Sequence, residues 1–426
     1  MKKTFLLSYL MLAAMPVMAA YTGHVYVDKN KNGVFDQSEK PLAGIKVSDG
    51  LNVVETAADG SFTLPGHERE RFIFITTPSG YKTFNRHYHK IEKKQSGYDF
   101  GLIPYSGRIR KDGSHRYIHI TDTEIFNTEN HADWVNNVHD YARNEQAAFI
   151  IHTGDICYEK GLKAHIKLMN TENMDCPVFY CIGNHDLVKG KYGEELFESI
   201  YGPVYYSFDA GNVHYVVTPM PGGDHAPGYT SDDVCRWLKN DLAHIRPGTP
   251  VVVFNHDLLT YEDTFIFKSK NAGSINLNEY NLKAWVYGHW HINYMKKQGD
   301  VYSVCTSSLD KGGIDHSTTA FRVMHVDSKG DFTSELRYTY LDKNICIASP
   351  AGVMASGVLP VAVNVYSSVS PVREVLYTCL ADGKPVLKNK RLLQSTDWSW
   401  NGELPLSHKY VGLSLIHISE PTRPLY

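Results

Sequence analysis

A chain of 426 residues exceeds one ordinary domain, and its length suggests roughly two or three. An apolar share of 42% with no low-complexity tract is that of a folded globular protein. A formal net charge of −3 carries no signature of nucleic-acid binding or of a polybasic membrane surface.

Met1–Ala20 reads as a secretory signal. Lys2-Lys3 is its basic start, Phe5 to Val17 its apolar stretch, and Val17-Met18-Ala19 its small-residue cleavage signal. The mature protein is expected in a periplasm or outside the cell, and no later segment is long and apolar enough to cross a bilayer as a helix. The seven cysteines (157, 176, 181, 235, 305, 346 and 379) are odd in number and lack the spacing of a disulfide framework. They read as buried small hydrophobes.

Residues 21–103 read as an all-β sandwich. Gly23–Val27, Ile45–Ser48, Val53–Thr56, Ser61–Leu64 and Arg71–Thr76 are its strand candidates, with turns at Asp49-Gly50, Asp59-Gly60 and Ser79-Gly80. Between them, Asp28, Asn30, Asn32, Asp36 and Glu39 follow the spacing of a calcium loop, with Gly33 at its sharp turn. The stretch is read either as a structural calcium site or as a polar Asn-Gly turn. It resembles the calcium-loop sandwich repeats of bacterial surface proteins.

Residues 104–116 read as a linker, and residues 117–342 alternate strands with helices, the pattern of an α/β layered core. Trp134, Val138 and Tyr141 share one helical face. Thr230 to Ile245 forms an amphipathic helix through Val234, Trp237, Leu238, Leu242 and Ile245, capped by Thr230 or Ser231. From residue 345 to 412 strands return: Val361–Tyr366, Val372–Thr378, Pro385–Leu392 and Trp398–Leu404. This reads as a second β-sandwich that stops before completion. Residues 413–426 resemble the conceptual translation of a sequencing-library adapter, are not expected to form a natural strand or tail, and remove His417 from any site argument.

Five apolar runs end in potential metal ligands. Tyr117–Ile120 meets Thr121-Asp122-Thr123-Glu124, and Phe149–Ile151 leads to Gly154-Asp155-Ile156-Cys157-Tyr158. Val178–Ile182 runs into Gly183-Asn184-His185-Asp186, Val251–Phe254 into Asn255-His256-Asp257, and Ala284–Tyr287 into Gly288-His289-Trp290-His291. Buried strands that stop at a sheet rim and hand over to a site look like this. By contrast, His87-Tyr88-His89 is a triplet that a His-rich chain produces by chance. Two cations need a bridging carboxylate and neutral imidazoles or oxygens that leave positions open. Asp155 is the natural bridge. Asp122 and His291 would complete one ion, and Asn184, His256 and His289 the other.

In that order the five endings resemble the calcineurin-like metallophosphoesterase superfamily, over about Tyr117 to Tyr340. The flanking β modules are similar to those of exported bacterial members. The resemblance implies two mixed β-sheets sandwiched by helices, with a dinuclear site at one edge hydrolysing phosphate esters by metal-bound hydroxide. It also implies that His185 contacts phosphate or protonates the leaving oxygen, with Asp186 orienting it. Many members have His where Glu124 stands. Tyr158 resembles the iron-binding tyrosine of purple acid phosphatases, a branch with Gly at that position. Glu124, Tyr158 or neither closes the first ion, and Mn, Zn or Fe remain open as metals. Gly222-Gly223-Asp224-His225 and Lys311–His316 each follow a strand-like run and either shape the pocket or form surface turns, the latter favoured for His225, while His316 is a candidate substrate contact. The substrate would be a small-molecule or macromolecular phosphate ester, mono- or diester. The competing reading is a surface-binding protein with a degenerate, non-catalytic central domain.

Overall fold

The computed structural model describes residues 20–340 apart from Ser96, and residues 343–350, 357–367, 372–381, 383–395, 399–406 and 412–418. Residues 1–19 of the signal and 419–426 of the tail lie outside the described residues.

The N-terminal module is a pair of small sheets. One holds Lys40–Pro41, Tyr21–Val27, Phe100–Pro104 and Tyr81–Thr83, with Ser61–Leu64 also pairing to Tyr21–Val27; the other holds Val53–Glu55, Lys46–Ser48, Phe72–Ile75 and Tyr88–Lys90. Alternate residues such as Val25, Val47, Phe62, Ile73 and Leu102 fill the space between them. Four strands were not predicted: Lys40–Pro41, Tyr81–Thr83 and Tyr88–Lys90 are short and polar, and Phe100–Pro104 is broken by Gly101 and ends in proline. The chance triplet straddles the start of one of them: His89 Nε2 lies 2.8 Å from the Asp99 carbonyl, and the half-buried His87 packs its ring on Tyr206.

The outer face of the second sheet is absorbed by the central domain. Phe72, Phe74 and Tyr88 belong to the same core cluster as Trp237 and Phe208; each such buried aromatic contributes roughly 1.5–3 kcal/mol. Arg71 fixes the joint by donating to Glu194 at 2.7 Å and Glu198 at 3.0 Å, while the Asp209 amide donates to the Thr77 carbonyl at 2.8 Å. The expected linker is structured as well: its Arg110–Ser114 turn leads directly into a strand that starts at His115.

In the central domain the elements relevant to the site are β1 (His115–Ile120), α1 (Ala132–Asn144), β2 (Phe149–His152), α2 (Tyr158–Leu168), β3 (Val178–Tyr180), α3 (Glu195–Tyr201), β4 (Tyr206–Ala210), β5 (Val213–Val217), α4 (Ser231–Ala243), β6 (Val251–Phe254), β7 (Leu282–Tyr287), β8 (Tyr294–Gln298), β9 (Val301–Cys305), β10 (Ala320–Val326) and β11 (Phe332–Tyr338). Two mixed sheets result, ordered β3-β2-β1-β10-β11 and β4-β5-β6-β7-β9-β8. Strands β1, β2 and β3 run parallel, as do β5, β6, β7 and β9.

Both faces of these strands are covered, which is why they read as apolar runs rather than alternations. Tyr117, Phe149, Ile151 and Phe179 point into the core shared with the second sheet, where Tyr117 stacks on Phe149 at 4.7 Å. Ile118, Ile150 and Val178 face the other way, onto Trp134 and Val138 of α1 and Leu162 of α2. Helix α4 begins with a capping box between Thr230 and Asp233 and buries Val234, Trp237, Leu238 and Leu242.

The C-terminal module is two antiparallel sheets. Lys343–Ser349, Gly357–Ser367, Ser399–Leu406 and Leu393–Gln394 form one; Lys384–Arg391, Val375–Ala381 and Gly412–Ile418 form the other. Leu413–Ile418, within the stretch that resembles an adapter translation, has its backbone paired with Val375–Ala381. A stretch this rich in Leu and Ile has strand capacity whatever its origin. All seven cysteines are unpaired, and only Cys346 is exposed.

Candidate metal centre

The five ligand-bearing loops all leave the C-terminal ends of parallel strands: β1, β2 and β3 from one sheet, β6 and β7 from the other. Because the sheets stack face to face, these ends meet at one edge. Ligand atoms of Asp155, His256 and His289 lie within 4.8 Å of one another. His256 Nε2 is 3.1 Å from Asp155 Oδ2 and 3.9 Å from Asp122 Oδ1. His291 Nε2 is 3.4 Å from Asp122 Oδ1 and 3.4 Å from Glu124 Oε1. Asp122, Asp155 and His256 are buried. Asn184 Oδ1 is buried without a hydrogen-bond partner. Two buried carboxylates close to the His256 and His291 imidazoles are what bound cations would satisfy, so the donor set fits a metal centre.

The backbone here is strained. Asp122, Glu124, Asp155, Cys157, Tyr158, His289 and His291 all have left-handed φ values, between 44° and 77°. Each costs on the order of 1 kcal/mol or more, and such residues persist where the surroundings over-determine them. Several contacts do so. The Ser308 hydroxyl donates to the Asp122 carbonyl at 2.7 Å, and the His289 amide to Asp122 Oδ2 at 3.0 Å. His256 Nδ1 lies 2.7 Å from the Thr153 carbonyl, which turns Nε2 toward the carboxylates. Two buried histidines outside the ligand set hold the loops. His152 accepts the Gly154 amide at 3.1 Å and meets Thr123 Oγ1 at 3.0 Å; His119 lies 2.8 Å from both Thr153 Oγ1 and Thr306 Oγ1. Burial drives both imidazoles to the neutral form, pushing His119 down to about 3.

Asp186 departs from its expected role. Its carboxylate faces inward and accepts three amides, from Asp155 (2.9 Å), Cys157 (2.8 Å) and Gly183 (2.9 Å). Burial first, and the Asp155 charge second, raise its pKa to about 7 against those amides. Both oxygens are engaged in tying two ligand loops together, so the His185 ring is oriented from elsewhere. The residue that does it is Asp224, 2.9 Å from His185 Nδ1. Burial pulls His185 down, but the Asp224 hydrogen bond and the Asp155, Asp224 and Glu124 charges outweigh it and raise its pKa. The Gly222–His225 turn therefore does reach the site, through Asp224 and not through the exposed His225.

Glu124 and Tyr158 part company. The Glu124 carboxylate faces His291 and is ion-paired with Lys311, and its ligand atom lies within 4.8 Å of those of Asp155 and Cys157. Tyr158 is 42% exposed, stacks on Phe126, and holds its hydroxyl 3.5 Å from His185 Nδ1, too far for a good hydrogen bond. His316 is exposed in its turn. Its loop reaches the site through Lys311 and through the Ile314 amide, which donates to the His291 carbonyl at 2.9 Å. His119 and His152 carried no signal in the sequence beyond a polar residue in a buried strand, whereas Asp224 and Lys311 lie in the two turns singled out there, without being picked as the residues that act.

Among the ligand histidines, His256 is pushed toward the charged form. Burial opposes its charge, but the Asp155 and Asp122 carboxylates prevail and raise its pKa to about 10. His289, beside it at 5.0 Å between ring centroids, is lowered by burial and by the His256 charge.

Residues 115–293 match the family model described as calcineurin-like phosphoesterase, and residues 29–104 match the model for the N-terminal domain of calcineurin-like phosphoesterases. Purple acid phosphatase 13 of Arabidopsis thaliana is 26% identical over 232 residues, which span 51% of this chain and 38% of that protein. Among solved structures, GAP50, described as the anchor in the inner membrane complex of Plasmodium, is 13% identical with a TM-score of 0.34, covering 53% of this chain and 85% of that one. An archaeal phosphodiesterase is 13% identical with a TM-score of 0.27, covering 52% and 99%. Superpositions that loose carry nothing about function. Residues 115–293 thus carry a calcineurin-like phosphoesterase domain, preceded over residues 29–104 by the N-terminal domain described for calcineurin-like phosphoesterases.

Proposed function

We propose that the protein is a metal-dependent phosphoesterase, acting on a phosphomonoester or phosphodiester at two ions held by Asp122, Asp155, Asn184, His256, His289 and His291. The observation that carries the reading is the convergence of Asp155, His256 and His289 within 4.8 Å of one another, with Asp122 close to both His256 and His291. Ions held by these residues would supply positive charge for the phosphate oxygens and a means of activating water. The choice among Mn, Zn and Fe follows from what closes the coordination beside His291, and Glu124 is the better-positioned group.

His185 supplies the proton chemistry. Its Nδ1 is taken by Asp224, so Nε2 is the atom free to hold a proton for the leaving ester oxygen. Against burial, the Asp224 hydrogen bond and the neighbouring carboxylate charges raise its pKa and so favour the protonated form. Lys311, beside Glu124, adds a cation that an anionic substrate can use.

The test is metal-dependent hydrolysis of p-nitrophenyl phosphate against bis(p-nitrophenyl) phosphate, which also ranks monoester over diester. Asp155→Asn and His256→Ala should each lower kcat by about a thousandfold or more with the circular dichroism spectrum unchanged. Activity retained in either variant contradicts the assignment. A folded protein inactive on both esters with every metal would favour the binding-protein reading instead.

We also propose export, on the strength of the Met1–Ala20 pattern. No helix among the described residues is long and apolar enough to cross a membrane. N-terminal sequencing of the protein recovered outside the cytoplasm should begin near Ala20 or Tyr21; a start at Met1 rejects it.

A further inference from the structure

The Asp28–Glu39 loop lies far along the chain from the phosphoesterase loops, and its chemistry is not used by them. Its first and last carboxylates are buried: Asp28 is 1% exposed and Glu39 6%. Among the described residues neither they nor Asp36 forms an ion pair with Lys, Arg or His; their partners are backbone and side-chain amides. Asp28 accepts from the Asn32 and Gly33 amides at 3.2 and 2.9 Å, and Glu39 from the Lys29 and Asp36 amides at 2.8 and 3.2 Å. Buried carboxylates without a countercharge are costly. Gly33 takes φ 74°, a turn that a side chain would strain, and this wraps the loop back on itself.

A second observation comes from outside the loop. Tyr26 is 0% exposed and its hydroxyl has no hydrogen-bond partner. Its ring stacks on Phe35 of the loop at 4.8 Å. The hydroxyl and Asp28 Oδ2 reach toward the same point, 3.2 and 3.0 Å from where a Cβ on Gly101 would stand. Burial, then the Asp28 and Glu39 carboxylates, raise its pKa. An unpartnered hydroxyl is thus held against a pair of buried acids that have amide partners but no countercharge.

We propose that this loop is a calcium site in which side-chain oxygens of Asp28, Asn30, Asn32, Asp36 and Glu39, with the Val34 carbonyl, surround one Ca²⁺. Asn30 Oδ1 and Asn32 Oδ1 each accept one turn amide, at 3.1 and 2.8 Å, and keep a lone pair free. Asp36 Oδ2 is bridged by the Asn30 and Asn32 side-chain amides at 2.7 and 3.0 Å, the contacts a cation would replace. The Tyr26 hydroxyl then hydrogen-bonds the ligand shell or its water. Oxygen-only ligands at alternate positions suit calcium over a transition metal, and Lys29 and Lys31 set a modest affinity. The ion would pin the loop to the strand that starts the module, a stabilising role separate from catalysis.

The full chain carrying Asp155→Asn, which removes a proposed bridging ligand of the other centre, is titrated with CaCl₂ by calorimetry and by thermal unfolding. One Ca²⁺ per chain is expected, with Tm raised by several degrees at 2 mM and a smaller shift with MgCl₂. Glu39→Gln should raise the half-saturating Ca²⁺ at least tenfold, and Tyr26→Phe severalfold. In the chain with Asp155 intact, Glu39→Gln should leave phosphoesterase turnover unchanged. No heat of binding and no Tm shift, or a shift that survives Glu39→Gln undiminished, overturns the proposal. The calorimetric stoichiometry decides it even where a loop variant fails to fold.

Discussion

His185 Nδ1 and Asp224 Oδ2 stand 2.9 Å apart, although 39 residues separate them in the chain. The pairing leaves Nε2 as the working nitrogen and joins a ligand loop to a turn that has no ligand of its own. Asp224→Asn keeps the size of the side chain and removes the charge. We expect kcat to fall about tenfold with metal content unchanged. Asp224 raises the His185 pKa, so its removal should move the alkaline limb of the kcat profile to lower pH. A profile that only scales down, without moving, would assign Asp224 a structural role.

Metal uptake should depend on pH through His256. In the metal-free chain Asp155 and Asp122 hold its imidazole protonated up to about pH 10, and a ligating imidazole must be neutral. Binding therefore releases that proton, and apparent affinity should strengthen about tenfold per pH unit between pH 6 and 8. Competition against a chelator of known pH dependence measures this. A flat profile would mean that His256 is neutral before the metal arrives.

Gly288 is required by close approach. A Cβ there would stand 1.8 Å from Thr121 Oγ1 and 2.6 Å from Asp122 Oδ2. Gly288→Ala should displace the β1 loop, cut metal stoichiometry below one ion per chain, and lower stability by about 2–4 kcal/mol. Metal analysis alongside a urea melt tests both parts, and wild-type stoichiometry would contradict the placement.

Tyr158 faces His185 and Phe126, with its hydroxyl turned away from a good hydrogen bond. Iron-loaded protein should lack a tyrosinate-to-iron absorption band, and Tyr158→Phe should keep full metal content while changing KM more than kcat. A visible band that disappears in Tyr158→Phe would restore it as a ligand.

Much of the centre was readable in one dimension. Strands β1, β2, β3, β6 and β7 are covered on both faces, so each reads as an unbroken apolar run, and each ligand sits within a few residues of its strand's end. The strand edges of the N-terminal module were legible where Val, Ile and Phe cluster, but Tyr81–Thr83 and Tyr88–Lys90, short and polar, were not. The Asp186 role misread has a simple cause: a residue adjacent to His185 in sequence points inward when the loop turns, and its oxygens go to the nearest unpaired amides.

Sequence alone determined which residues could hold metal and in what order they occur, because ligand type and the strand-to-loop switch are local properties. Only the tertiary structure decided what supports them. Asp224, Lys311, His119 and His152 act across gaps of tens to hundreds of residues, set by the stacking of two sheets. Short-range interactions write a signal into neighbouring positions, whereas a hydrogen bond between distant loops leaves none until the chain has folded.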